Sequence, residues 1–380
     1  MLKLFRRHIH NDCRKIDLFI FLTGFARAFI EIFMPVLLYK MGFSVKEILL
    51  YYVVISLASA VAVPLLTKLA RHTSIKLVLA LAPITFCATF LALEHVPHTT
   101  WTIALIAILH MLFRKSYWIP RHYLVLNKNK KKDMTTRSKW FTILETVSGM
   151  IATFMGAVVI DIYGITAGIL FAGTVFFLGC MPAWRVKVQS DHHKKDNYRR
   201  ILRRIPKRSL LVLALVEFRW IAGLLFPLYI FINIEDELTF IGSFQVLIGM
   251  ASIVAVYCYG HIMDKLKSDL MRFAALGLAM VFLLKLNVFS PIWFLGIALL
   301  EGLFSRFYQT SYVRNVYALG KDYNAREYQS FYLVFTSVVA AVLLGSFYLL
   351  NLDLVVVLYV CVLGAALSGL VDFDDGRGGY

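Results

Sequence analysis

Two arginines lie in otherwise apolar stretches of the chain, and each precedes a proline by eight residues: Arg27 before Pro35, and Arg219 before Pro227. Three more cations, Arg114, Lys115 and Arg306, are embedded in the same kind of surroundings. A guanidinium gives planar, bidentate hydrogen bonds to carboxylate or phosphate and stays charged at any accessible pH. The chemistry on offer is therefore recognition of an anion. A charge at mid-bilayer costs roughly 2.5–3.5 kcal/mol on insertion scales, so a chain that places one twice at matched positions is expected to turn it towards a cavity.

Carboxylates accompany these cations. Arg27 and Glu31 are four residues apart and share one helix face, where they can pair. Glu217 and Arg219 are two apart and point to nearly opposite sides, and Arg219 is the one expected in the cavity because its spacing to Pro227 copies that of Arg27. Glu301 precedes Arg306 by five positions, roughly 140° round a helix. Five cations against Glu31, Glu217 and Glu301 leave a positive surplus, which suits an anionic small-molecule solute bound by Arg27, Arg114, Arg219 and Arg306, with Tyr117 and Tyr308 stacking on it. Glu31, Glu217, Glu301 and His110 are the candidates for proton coupling, since a carboxylate in low dielectric takes up a proton when its cation is drawn away. Two other readings stand beside this one. The charges can form a neutralising network that holds the structure together, and the tyrosines can be ordinary core or interfacial residues.

The elements that must position these residues are membrane helices. The chain has 380 residues, 59% hydrophobic and 17% charged, with a mean hydropathy of +0.71, which excludes an ordinary soluble domain. Apolar windows of about 20 residues predict twelve spans. They are Ile16–Tyr39, Val45–Leu69, Ile75–Leu93, Trp101–Tyr123, Trp140–Ile160, Ile165–Trp184, Leu210–Ile232, Leu238–Met263, Leu270–Val288, Ile292–Tyr317, Tyr328–Leu350 and Leu352–Val371. With both termini cytoplasmic, 32 of the 40 Lys and Arg fall in inner segments, the five named above lie within the membrane, and only Lys40, Lys46 and Lys285 fall outside. A multi-pass protein of the plasma (inner) membrane is expected. The net charge of +17 then reflects topology and attraction to anionic lipid headgroups, and no nucleic-acid partner is implied. The five scattered cysteines predict neither disulfides nor a zinc site, and no cofactor is expected. The basic N-terminus precedes a span too long for a signal peptide, so that span is expected to stay as a helix.

A basic stretch, 185–209, separates residues 1–184 from 210–371, with 372–380 as a cytoplasmic tail. The flanking segments read as two related six-helix halves. Besides the Arg–Pro match, Leu112-Phe113-Arg114-Lys115-Ser116-Tyr117 parallels Leu303-Phe304-Ser305-Arg306-Phe307-Tyr308, and Thr67-Lys68-Leu69 parallels Asp264-Lys265-Leu266, all in chain order.

Gly260-His261-Ile262-Met263-Asp264-Lys265, with Arg272 beyond, resembles the G-x-x-x-D-(R/K) loop signature of the major facilitator superfamily. The six-plus-six layout with a basic central loop is similar to that family over the whole chain. The first-half loop, Val63 to Arg71, lacks the Gly and Asp of the signature. In the fifth span, Gly149 and Gly156 resemble the glycine-rich helix of the family's drug antiporters, without its G-P-x-x-G-G ending. The resemblance implies an all-α major facilitator fold of two pseudo-symmetric halves and a secondary transporter working by alternating access as a monomer. It also implies a cavity lined by helices 1, 4, 7 and 10 and a gating role for Gly260, Asp264, Lys265 and Arg272. One arginine from helix 1 and one from helix 7 is similar to the organophosphate:phosphate antiporters, so symport with protons and anion exchange are both open. Efflux of amphipathic cations or drugs and transport of lysolipids are the alternatives within transport. A non-transporting scaffold and a lipid-processing membrane enzyme are the alternatives outside it. For an enzyme, His192, His193, Asp196 and Asp372, Asp374 and Asp375 match no catalytic signature, and no phosphate-binding loop appears.

Overall fold

The computed structural model describes residues 2–96, 99–128, 134–186, 198–266, 269–320 and 325–371, and they are almost entirely helical, with no strand among them. Helix α1 (Leu2–Ile30) passes through a single 3-10 turn, Glu31–Phe33, into α2 (Met34–Lys40). Pro35 is the cause. It has no N–H to give the carbonyl of Glu31, and its ring crowds that carbonyl, so the helix breaks at the part-buried Glu31. Pro227 sits inside an unbroken helix, α8 (Lys207–Asn233).

Gly42, at φ 91°, takes the left-handed conformation that lets α2 turn into α3 (Val45–His72). A capping box starts α3: the Glu47 carboxylate accepts from the Ser44 N–H at 2.9 Å, and the Ser44 hydroxyl accepts from the Glu47 N–H at 3.3 Å. Ser74 caps α4 (Ile75–His95) by accepting from Leu77. After α5 (Thr100–Lys128), α6 (Met134–Trp184) is two crossings joined at Gly164, where φ is 83°. A short helix, α7 (Tyr198–Arg204), precedes α8. The chain continues through α9 (Leu238–Leu266), α10 (Asp269–Asn287), α11 (Pro291–Gly320), α12 (Ala325–Leu349) and α13 (Leu354–Leu370). Nine helices among the described residues are long and apolar enough to cross a membrane. With α6 counted as two, and the shorter α13 and the more polar α11 added, the twelve spans of the sequence reading are present.

The chain forms two compact units. The first is 1–32 with 61–194. In it α1 packs along α6 and α4 along α5, over a cluster of the Phe86, Phe90, Phe113 and Phe176 rings. A Cβ on Gly156 would stand 2.0 Å from the carbonyl oxygen of Phe29, so the α1 and α6 backbones touch there. The second unit is 33–60 with 195–380. In it α11 packs on α9 and α10, and α13 on α8 and α10. Gly302 meets the Ile248 carbonyl as Gly156 meets Phe29, with a 2.3 Å approach for its absent Cβ. Ile201 of α7 and the adjacent Ile205 enter this unit's core beside Val212, Met271, Tyr308 and Phe331, and Tyr198 hydrogen-bonds Ser330 at 2.7 Å. Buried Ile201 opposite exposed Arg199 and Arg203 makes α7 amphipathic.

Candidate substrate-binding site

In the first unit Glu31, where α1 ends, lies one turn beyond Arg27, and the two pair: Arg27 Nε donates to Glu31 Oε2 at 2.9 Å. The other carboxylate oxygen faces α5, with Arg114 Nε at 3.1 Å and His110 Nε2 at 3.5 Å. One carboxylate thus gathers two guanidiniums and an imidazole. His110 and Arg114 are four apart on α5, which brings both to the same partner. Arg27 also lies over two rings of α5, 4.9 Å from the centroid of Tyr117 and 4.6 Å from that of Trp118. The Tyr117 hydroxyl is in turn 3.2 Å from that of Thr23 on α1. Towards the end of α5, Arg121 pairs with Glu145 of α6 and lies 4.4 Å from the Trp118 centroid.

The second unit repeats the arrangement with other partners. Arg219 lies 5.1 Å from the ring centroid of Tyr308, as Arg27 lies over Tyr117. Its two terminal nitrogens donate to Gln309 Oε1 at 2.7 Å and Ser305 Oγ at 3.0 Å, both uncharged acceptors. Ser305 and Gln309 are one turn apart on α11 and present one polar face. The Tyr308 hydroxyl shares a hydrogen bond of 2.9 Å with Ser368 of α13.

Glu301 lies one turn before Ser305, but its carboxylate is held by Lys285 of α10 at 3.0 Å. The Lys285 ammonium is closed in by phenylalanines, 3.6 Å from the Phe226 centroid and 4.8 Å from that of Phe244, with Phe282 and Phe294 farther out. The topology expected Lys285 among the outer charges. It is instead fully buried between helices. Its stem lies in the last turn of α10, from which it reaches inward because a carboxylate waits on α11.

The remaining sequence candidates are placed less centrally. Glu217 is buried on α8, half a turn away from Arg219. Arg306 and Lys115 are partly buried, Arg306 about 100° round α11 from Ser305. Gly260, Asp264 and Lys265 belong to the last turns of α9, with side chains outside the described residues, while Arg272 is exposed on α10. His192, His193 and Asp196, like Asp372, Asp374 and Asp375, also lie outside the described residues. Ser305 and Gln309 went unread in the sequence. The signal available was their four-residue spacing and the repeat alignment that matches Ser305 to Arg114 in sequence. Among the described residues no cluster of His, Cys, Asp and Glu is arranged to hold a metal.

A family model described as the Major Facilitator Superfamily matches residues 16–344. Among solved structures, the chain is similar to a nucleoside transporter, NupG, in a mutant form, with a TM-score of 0.66 and 12% identity over 94% of this chain and 97% of that one. At that identity the likeness concerns the fold. No match is found among curated proteins.

Proposed function

The chain belongs to the Major Facilitator Superfamily, and from that premise we propose that it carries an organic or phosphorylated anion by alternating access, through proton symport or anion exchange. It is a membrane transporter and not an enzyme. The observation that supports the anion is the Glu31 carboxylate, gathered by Arg27 at 2.9 Å and Arg114 at 3.1 Å. Two guanidiniums that already grip one carboxylate have the geometry a ligand's carboxylate or phosphate needs. Arg219 supplies another guanidinium whose partners are neutral.

Glu31 then has two tasks in this reading. It neutralises Arg27 and Arg114 when no ligand is present, since a bare charge in hydrocarbon is costly. When it takes up a proton, with His110 beside it, it releases both arginines to the solute, which couples proton to anion. Glu301, tied to Lys285, serves as a structural partner. The proposed setting is the plasma membrane with both termini cytoplasmic, as the distribution of Lys and Arg suggests.

The test is thermal stabilisation of the purified protein by phosphorylated and carboxylated metabolites, lysolipids and amphipathic cations, with Arg27→Ala and Arg219→Ala alongside. A ligand at 100 times its Kd stabilises by about 2.7 kcal/mol, which a melting curve resolves. Anions are expected to stabilise the wild type and to lose their effect in both variants. Stabilisation by cations alone, or equal stabilisation of all three proteins by anions, defeats the proposal.

A further inference from the structure

The chain carries the same frame twice with different occupants. A step of 192 residues takes Arg27 to Arg219, Pro35 to Pro227 and Glu31 to Gly223, and a step of 191 takes Arg114 to Ser305 and Tyr117 to Tyr308. The arginine-over-tyrosine distance is nearly the same in both, 4.9 Å and 5.1 Å. In the first unit the arginine is closed by a carboxylate four residues on. In the second that position has no side chain, and a Cβ built on Gly223 meets nothing within 4 Å. Glycine weakens a helix interior relative to alanine, so helix stability alone does not account for it.

The geometry points to the space beside Gly223 as the seat of a ligand's carboxylate, held by Arg219 as Glu31 is held by Arg27. With Glu31 ionised the first unit holds its own carboxylate, and the second is open to one from the solute. Arg219 spends donors on Gln309 and Ser305 and keeps others for the ligand, while the Gln309 amide nitrogen and the Ser305 hydroxyl can donate as well. One guanidinium with two neutral hydrogen-bonding groups balances a single negative charge. The class of ligand group is therefore a carboxylate rather than a doubly charged phosphate. This inference rests on the reading of Arg219 as an anion contact.

The test builds the missing carboxylate into the full-length protein. Gly223→Glu should melt at a higher temperature than Gly223→Gln, because the new carboxylate pairs with Arg219 across one turn, and the gain should vanish when Arg219→Gln is added. The carboxylates that stabilise the wild type, screened beside inorganic phosphate, should bind Gly223→Glu at least about tenfold more weakly, a loss of about 1.4 kcal/mol in binding. The inference is overturned if Gly223→Glu melts no higher than Gly223→Gln, if its gain persists without Arg219, or if phosphate but no carboxylate stabilises the wild type. Failure of the two readings is separable. An undiminished carboxylate response in Arg219→Gln removes the anion contact itself, whereas a response lost in Arg219→Gln but kept in Gly223→Glu removes only the seat beside Gly223.

Discussion

Arg27, Arg114 and His110 all converge on Glu31. Removing one partner of a buried pair costs about 3–5 kcal/mol, since it strands the other charge. Glu31→Gln is therefore expected to lower the melting temperature of the unliganded protein and to enlarge the stabilisation given by added anions, which replace the lost carboxylate. A melting series against anion concentration checks both. Loss of stability with no gain in anion response makes the cluster a structural network. Lys285 and Glu301 give a contrasting expectation. Lys285→Met alone should destabilise by about 3–5 kcal/mol, while Lys285→Met with Glu301→Gln should recover most of the loss, because the desolvation of both charges is relieved together. The coupling energy from the double-mutant cycle measures the pair directly.

At the scale of the helix, proline and glycine act through what they lack. Pro35 withholds an N–H and breaks the first span at Glu31, turning the carboxylate-bearing residue into a 3-10 turn. Gly156 and Gly302 lack a Cβ where another helix's carbonyl sits, 2.0 Å and 2.3 Å from where that atom would stand. Without a hydrophobic drive between helices in lipid, such close approach is a main source of helix association. Gly156→Ala and Gly302→Ala should each destabilise by at least about 1–3 kcal/mol, the usual cost of overpacking. Gly223→Ala, with open space around it, should instead leave the melting temperature unchanged or raised, by up to about 0.5–1 kcal/mol of helix preference. Equal losses at all three positions contradict the packing argument.

For the whole molecule, the distribution of charge predicts an orientation that labelling can test. The arginines of α7 and the start of α8 lie exposed on a helix pinned by Ile201 and Ile205, and they belong with the cytoplasmic face if Lys and Arg are retained inside. The turn between α8 and α9, with exposed Asp236, belongs on the other side. Single cysteines placed by Arg203→Cys and Asp236→Cys test this with a membrane-impermeant thiol reagent, read against the parent protein. Asp236→Cys should label in intact cells and Arg203→Cys only after permeabilisation. The reverse pattern inverts the topology.

Sequence by itself determined the membrane helices and the family, because hydrocarbon length and a short loop signature are local quantities that survive as pattern along the chain. It also picked out Arg27 with Glu31, since a one-turn spacing fixes a shared face. Only tertiary structure decided the partners that lie far apart in sequence. It gave Arg114 and His110 to Glu31 and Gln309 and Ser305 to Arg219. It also set Lys285, at the end of α10, in a pocket of phenylalanines against Glu301. A charge in a low-dielectric interior goes to whichever counter-charge or acceptor the packing brings near, and helix periodicity carries no information about which helix that will be.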